Sequence, residues 1–290
     1  MVSEVLETSK KVSETSKAVR IDRQAVGCFV ERLVAENIQA PTWDTRFHFF
    51  DGTEKTVAYL LVLDTINFCF WPPAGKSKWE IDYGSERLSG YYALAASIKK
   101  AFESGIPLWE AGSLADLSLD QLKRLLRGRG EIQLLDNRLT ALRDLGNILV
   151  KEYGGHAHRL VESAGHSALM LARLLAEKLA SFNDSAEYQG HRVIFYKRAQ
   201  ILAADLFGAF NGKKWGRFTD MDQLTAFADY KLPQVLRHLE IRLEVPVSGG
   251  RLHFTQLPDL PLDPLGVRAE PVDEVHQRNQ VAHLIIMSPP

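Results

Sequence analysis

The sequence predicts a mostly α-helical protein with one small antiparallel β unit near residues 56–84. Three observations carry this prediction. Apolar residues recur at helical spacing from Gly90 onward, capping signals and glycines divide that pattern into segments, and the stretch before it is β-branched and aromatic. Of the 290 residues, 46% are apolar and 24% are charged, a balance that supplies a sizeable globular core.

The N-terminal part of the chain is predicted to contain a short arm and the β unit. Residues 1–20 are rich in Ser, Lys, Glu and Thr and predict one short amphipathic helix or a loose arm. The run from Thr56 to Trp71 (TVAYLLVLDTINFCFW) predicts a strand, and Lys78 to Tyr83 alternates between polar and apolar residues before a turn at Gly84-Ser85. Together they predict a small antiparallel sheet.

The remainder of the chain up to residue 244 is predicted to be helical. The expected helices share apolar spacing of three and four residues and local start or stop signals. They are Tyr91–Glu103 stopped by Gly105-Ile106-Pro107, one opened by the capping box Ser118–Gln121, Leu135–Leu149 closed by Gly154-Gly155, two near 159–180 and 192–210, one through Gln223–Asp229, and one with Pro233 in its first turn.

The tail from about residue 245 has a different character. Seven of the twelve prolines lie between Pro246 and Pro290, and proline excludes long helices. We expect extended segments there, with a strand at 281–286. Residues 21–290 are predicted to form a single domain that carries this atypical tail.

Charge and targeting signals exclude some classes of function. The formal net charge of −1 argues against a broad nucleic-acid-binding face, which needs an excess of Lys and Arg. A secretory signal and an apolar run of membrane-spanning length are both absent, which predicts a cytoplasmic protein. Cys28 and Cys69 lie in apolar contexts and are expected to be buried free thiols.

Asp229 is the main candidate for chemistry. It lies between Phe227 and Tyr230, directly before a helix that contains Pro233. A carboxylate among aromatic side chains is a candidate general acid, base or nucleophile. The same position also suits an aspartate that caps the next helix, and the sequence alone leaves both roles open.

Other polar residues in apolar segments are weaker candidates. A lone carboxylate in an apolar helix, such as Asp205, either pairs with a basic residue or lines a site, and we favour pairing. We expect a turn or cap role for Asp64 rather than catalysis, and we favour core packing for His48. The adjacent Lys197 and Arg198 predict either an anion site or a solvated helix edge. His156 and His158 lack cysteine or carboxylate companions at metal-ligand spacing, so no metal site is expected.

Five motifs in one order resemble blocks of a known family. They are Leu63–Trp71 (LDTINFCFW), Ser89–Tyr92, Gly105–Pro107, Phe195–Asp205 (FYKRAQILAAD) and Phe227–Leu236 (FADYKLPQVL). These blocks resemble the queuosine salvage proteins, which are queuosine 5′-phosphate N-glycosylases (hydrolases). The resemblance covers roughly residues 20–245. The family's C-terminal acidic-aromatic motif, of the form LDxxLWD, has no counterpart after Glu244.

The resemblance implies a helical body related to the DNA glycosylases and hydrolysis of queuosine 5′-monophosphate to release queuine, with no metal or organic cofactor. It implies that Asp229 is the catalytic carboxylate, that Phe227 packs on the base next to Tyr230, and that His48 contacts the ligand. Lys197 is the candidate for the 5′-phosphate. Two alternatives stay open: a nucleic-acid base-excision glycosylase, and a non-catalytic protein that binds queuine or its nucleotide.

Overall fold

The computed structural model describes residues 3–17, 19–37, 43–72, 75–229 and 231–244. The chain forms two compact units. The central unit contains residues 42–184 and 196–221, and the terminal unit contains residues 1–41, 185–195 and 222–290. The predicted tail beyond residue 244, including the strand at 281–286, lies outside the described residues.

Helices dominate the described residues, which confirms the mostly α prediction. In chain order the elements are α1 (Glu4–Thr15), β1 (Val19–Ile21), α2 (Arg23–Ala35), α3 (Glu54–Thr65), β2 (Glu80–Tyr83), β3 (Glu86–Ser89), α4 (Gly90–Glu103), α5 (Ala111–Ala115), α6 (Leu119–Leu125), α7 (Leu135–Tyr153), α8 (Ala157–Glu162), α9 (Ala168–Lys178), β4 (Ser185–Tyr188), β5 (His191–Ile194), α10 (Lys197–Ala209), α11 (Lys231–His238) and β6 (Arg242–Glu244).

The core of the central unit is built around α3. Every residue from Thr56 to Thr65 is buried, and the helix begins at Thr53, whose hydroxyl accepts from the amide of Lys55 at 3.1 Å. The predicted strand in 56–71 is therefore wrong. A helix that is apolar on every face is a fully buried helix, and a short apolar run does not distinguish this case from a buried strand.

The rest of the predicted β unit is confirmed. Strands β2 and β3 pair antiparallel, with Glu80 opposite Ser89 and Tyr83 opposite Glu86, and Gly84 supplies the left-handed backbone of the turn with a φ of 60°. Helix α4 follows directly and packs on both strands. The hairpin therefore covers one side of the helical core.

Local signals placed several helices correctly. Ser118 and Gln121 form the full capping box at the start of α6, and α7 ends at Gly154 in the left-handed conformation with a φ of 62°. Helix α5 lies against α7 at Gly146, where a Cβ atom would lie 2.4 Å from the backbone nitrogen of Ala115. This close helix contact requires glycine.

Three predicted helices differ from the structure. The segment 159–180 is interrupted, because the carboxylate of Asp220 accepts from the Ser167 hydroxyl and the Ala168 amide and starts α9 there. The segment 192–210 begins as β5 and turns helical only at Lys197. The prediction of a helix through Gln223–Asp229 is wrong. A 3₁₀ turn at Met221–Gln223 is followed there by irregular chain.

The terminal unit contains two small sheets. Strands β1 and β6 pair antiparallel, with Val19 opposite Glu244. Strands β4 and β5 form a hairpin that the sequence analysis missed, and α1 packs on β5, where the hydroxyl of Thr8 accepts from the amide of Ile194 at 3.1 Å. The predicted N-terminal helix and the position of Pro233 in the first turn of α11 are confirmed.

Two remaining expectations concern exposure and membranes. Cys28 and Cys69 are free but exposed, so the expectation of buried thiols is wrong. Among the helices of the described residues, none combines the length and the apolar character needed to cross a membrane.

Candidate active site

Asp229 lies in the irregular segment that precedes α11 in the terminal unit. Its side chain is partly buried, and Phe227, two residues earlier, is 8% exposed. The backbone carbonyl of Asp229 accepts from the amide of Leu232 at 3.1 Å, in the first turn of α11. Tyr230 lies outside the described residues. Asp229 therefore lies on irregular chain. Helix α11 fixes the end of this segment, and the segment also contains the buried ring of Phe227.

Lys197 and Arg198 open α10 in the central unit, and their surroundings differ. The amide of Lys197 donates to both carboxylate oxygens of Asp184, each at 3.1 Å. The Arg198 guanidinium donates to the carbonyl of Thr65 at 2.6 Å and to the carbonyl of Ser181. Arg198 thus satisfies backbone acceptors at the end of α3 and at Ser181.

A second buried arginine completes the support of the same segment. Arg138, on α7, is fully buried and donates to the carbonyls of Ile66, Phe68 and Cys69. Its guanidinium carbon lies 4.5 Å from the ring centroid of Phe68, and that of Arg198 lies 4.7 Å from the same ring. Two cations thus fix the chain that follows α3. The sequence analysis did not single out Arg138.

Asp64 and Asp205 form a buried acid pair in the central unit. Asp64 is fully buried in the last turn of α3, and Asp205 lies on α10. The Oδ2 atoms of both residues are shielded from solvent and have no hydrogen-bond partner within the described part of the chain. Burial raises the pKa of Asp64 well above its usual range, and the neighbouring charge of Asp205 raises it further. Burial raises the pKa of Asp205 to about 7.

These positions correct two expectations. Asp205 was expected to pair with a basic residue, but within the described residues its side chain is hydrogen-bonded to Tyr91 and is in no ion pair. Asp64 was expected in a turn or cap, but it lies inside α3. Its carboxylate accepts a hydrogen bond from the side-chain amide of Asn67 at 3.4 Å. Both errors share one cause. The packing of α3 against α10 brings the two acids together, and this contact leaves no local pattern in the sequence.

His48 is joined to this pair through Tyr91. His48 is 6% exposed, its Nδ1 lies 2.6 Å from the carbonyl oxygen of Asp44, and its Nε2 lies 2.9 Å from the Tyr91 hydroxyl. The Tyr91 hydroxyl also hydrogen-bonds to Asp205. A polar line therefore runs from the Asp44 carbonyl through His48 and Tyr91 to Asp205.

The donors along this line restrict where its protons lie. A carbonyl only accepts, so Nδ1 of His48 carries a proton. Two arrangements then use the same number of protons. In one, protonated Asp205 donates to Tyr91, which donates to a neutral His48. In the other, an imidazolium at His48 donates to Tyr91, which donates to ionised Asp205.

Trp43 lies beside this line. Its ring centroid is 4.5 Å from that of His48, and it packs against α10 at Gly208, where a Cβ atom would lie 3.3 Å from Trp43 Cε3. Its indole Nε1 is buried without a hydrogen-bond partner in the described part of the molecule. Unpaired buried polar groups are rare in folded proteins. One polar atom each of Trp43, Asp64 and Asp205 is therefore buried without a hydrogen-bond partner among the described residues.

A groove of the central unit lies away from these residues. It has a volume of about 810 Å³ and lies between β2, α4 and α6. The predicted site residues Asp229, Phe227, His48 and Lys197 do not line it.

Comparisons with known proteins give one consistent result. The family model of the queuosine salvage protein matches residues 47–245. A protein of Sphaerobacter thermophilus is 45% identical over 248 residues, which are 86% of this chain and 76% of the relative. Proteins of Mus musculus and Bos taurus are 34% and 35% identical, and each alignment covers 80% of this chain and 71% of the relative. All three relatives are named queuosine 5′-phosphate N-glycosylase/hydrolase.

Proposed function

The chain belongs to the queuosine salvage protein family, and we propose that it hydrolyses the N-glycosidic bond of queuosine 5′-phosphate to release queuine. The observation that carries this proposal is the 45% identity to a relative of that name over 86% of the chain. The matched region, residues 47–245, includes Asp229, Phe227, His48, Lys197 and the buried acid pair. The substrate is a small nucleotide, and we place the reaction in the cytoplasm without a cofactor.

Asp229 is the catalytic carboxylate in this proposal. Cleavage of an N-glycoside passes through a sugar with oxocarbenium character and positive charge at C1′. A fixed carboxylate stabilises that charge, and it either attacks C1′ or orients a water molecule. The C1′–N bond breaks and its electron pair goes to the base. Water adds its oxygen to C1′ and releases a proton, which the base nitrogen takes up. The products are queuine and ribose 5-phosphate.

The other predicted residues bind the substrate. Phe227 stacks on the base, as aromatic platforms do for extruded bases, with Tyr230 from the same segment. Queuine is a 7-deaza base without an N7 to protonate, so hydrogen bonds at its other edges must assist its departure. Lys197 binds the 5′-phosphate by charge and hydrogen bonding. His48 contacts the ligand through its ring, because Asp44 and Tyr91 hold its two nitrogens.

Incubation with queuosine 5′-phosphate, followed by mass spectrometry of free queuine, tests the proposal. We expect rapid release by the wild-type protein and no measurable release by Asp229→Asn, which keeps the size of the side chain. Asp222→Asn is the matched control, because Asp222 is an exposed aspartate seven positions before Asp229. It should retain wild-type turnover.

Two results would contradict the assignment. Wild-type turnover in Asp229→Asn would remove Asp229 from the chemistry, and binding of the nucleotide without any release of queuine would favour a carrier. Offering intact tRNA and the free nucleotide side by side distinguishes a nucleic-acid glycosylase from the proposed nucleotide hydrolase. Comparing the nucleotide with its nucleoside tests Lys197, whose replacement by Met should weaken binding of the nucleotide alone.

A further inference from the structure

Three metal-ligating side chains converge in the central unit, away from the predicted catalytic residues in sequence. Glu54 is the first residue of α3, His156 is the N-cap of α8, and His158 lies in the first turn of α8. The Oε2 atom of Glu54 lies 3.5 Å from Nδ1 of His156 and 2.7 Å from Nδ1 of His158. All three ligand atoms lie within 4.8 Å of one another. We refer to these three residues as the His–Glu cluster.

The orientation of His158 separates this cluster from an ordinary ion pair. Its Nδ1 is buried and has no hydrogen bond of acceptable geometry among the described residues, although Glu54 Oε2 is only 2.7 Å away. The short contact with the carboxylate oxygen therefore does not give this ring nitrogen a hydrogen bond. A buried nitrogen that is close to an anion but not aligned with it is available to another partner.

Neighbouring side chains fix the ring of His158. Its centroid lies 5.7 Å from the ring of Trp215 and 5.2 Å from that of His156. Trp215 is itself held by a hydrogen bond from its Nε1 to Glu162 at 2.9 Å. Fixed orientation of a ligand by surrounding residues is a common property of metal sites in proteins.

We propose that the His–Glu cluster binds one divalent transition-metal ion, with Zn²⁺ as the preferred ion. Two imidazole nitrogens with one carboxylate oxygen form a known zinc ligand set, and nitrogen ligands disfavour Mg²⁺ and Ca²⁺. Ligands of a tetrahedral zinc lie about 3.4 Å apart, close to the 3.5 Å between Glu54 and His156. Both of these side chains are about half exposed and can rotate to adjust the other distances.

The ion would connect the start of α3 to the turn between α7 and α8. Helices α3 and α8 already pack against each other, so the bound ion would stabilise an existing contact. Three protein ligands leave one position of a tetrahedral ion for water. The inference is independent of the proposed hydrolysis, because none of its three residues is assigned to that reaction.

Zn²⁺ binding by the full chain, stripped of metal beforehand, tests the inference by isothermal titration. We expect one ion per chain and a Zn²⁺-dependent rise in the melting temperature. Loss of an outer-shell partner alone costs roughly ten- to hundredfold in metal affinity. We therefore expect a loss of about hundredfold or more from Glu54→Gln, His156→Ala or His158→Ala. Substitution with Co²⁺ should give a visible absorption band that the same variants lose.

His238→Ala is the matched control, because His238 is an exposed histidine on α11 outside the cluster. It should bind Zn²⁺ like the wild type. Glu54 is exposed and His156 is only partly buried, so their variants keep the fold and decide the question even where His158→Ala does not fold. The inference is overturned by a wild-type protein that binds no Zn²⁺, or by binding that is equally strong in all three cluster variants.

Discussion

Replacing Asp205 by asparagine should stabilise the protein at neutral and alkaline pH. Burial raises the pKa of Asp205 from 3.8 to about 7. A shift of that size corresponds to about 4 kcal/mol of unfavourable ionisation in the folded state at alkaline pH. Asparagine has the same shape and can still accept the hydrogen bond from Tyr91, but it does not ionise. The variant therefore avoids the cost that the wild type incurs.

The pH dependence follows from where each state loses its proton. The unfolded chain ionises Asp205 near pH 3.8, while the folded protein keeps the proton up to about pH 7. Between these values the folded state binds more protons, so its stability falls by about 1.4 kcal/mol per pH unit as pH rises, and it levels off above them. The advantage of Asp205→Asn should grow by about 3 kcal/mol between about pH 5 and about pH 8.

Urea unfolding followed by circular dichroism measures this difference. The free energies of unfolding of wild type and variant are compared at each pH, so that titrating groups that do not interact with Asp205 cancel. Loss of the Asp205 charge also lowers the pKa of Asp64 towards its usual range. Asp222→Asn removes an exposed carboxylate and should show no such trend. A difference between Asp205→Asn and wild type that stays constant over this pH range would refute the reasoning, because Asp205 would then ionise alike in both states.

Two further predictions concern packing and the polar line. Gly146→Ala should destabilise the protein by about 2 kcal/mol in the same urea assay, because its Cβ would overlap the backbone of α5; Gly112→Ala, which points into open space, is the control and should be neutral or stabilising. Tyr91→Phe removes the hydroxyl that holds His48. In steady-state kinetics it should raise KM about tenfold with a smaller effect on kcat, and an unchanged KM would argue against a role in positioning His48.

Helix starts and stops were predictable because they depend on residues adjacent in sequence. The capping box at Ser118 and the glycine at Gly154 set the bounds of α6 and α7 through local hydrogen bonds and backbone conformation. Helix α3 was not predictable in this way. It is surrounded by protein on all sides, so it lacks the polar face that gives a helix its period.

The β4–β5 hairpin left only a weak signal in the sequence. Gln189 and Gly190 both have positive φ, 50° and 75°, as a two-residue primed turn requires. Asparagine or aspartate before the glycine is the usual sign of such a turn, and glutamine is not. The apolar content of the following residues therefore favoured a helix that begins too early.

For the candidate site too, the sequence predicted the local segments but not the tertiary contacts between them. The family blocks singled out the segments that contain Asp64, Asp205 and Asp229, since each block is continuous in sequence. Three contacts instead join segments that are distant in sequence. They are the pairing of Asp64 with Asp205, the line from His48 through Tyr91, and the approach of Glu54 to the two histidines. The acid pair follows from the packing of α3 against α10, and the His–Glu cluster follows from the packing of α3 against α8. No window of the sequence contains these contacts.

The buried acid pair of Asp64 and Asp205 lowers the stability of the folded protein, so its presence in the central unit needs an explanation. The carbonyl groups around the end of α3 are satisfied by Arg138 and Arg198, so the segment is stable without the carboxylate of Asp205. An asparagine there would serve the fold better at neutral pH by the reasoning above. Groups that are costly to bury and have perturbed pKa values concentrate at functional sites. Within the described residues each acid also keeps one buried oxygen without a hydrogen-bond partner, so the stability of the fold alone does not account for the pair.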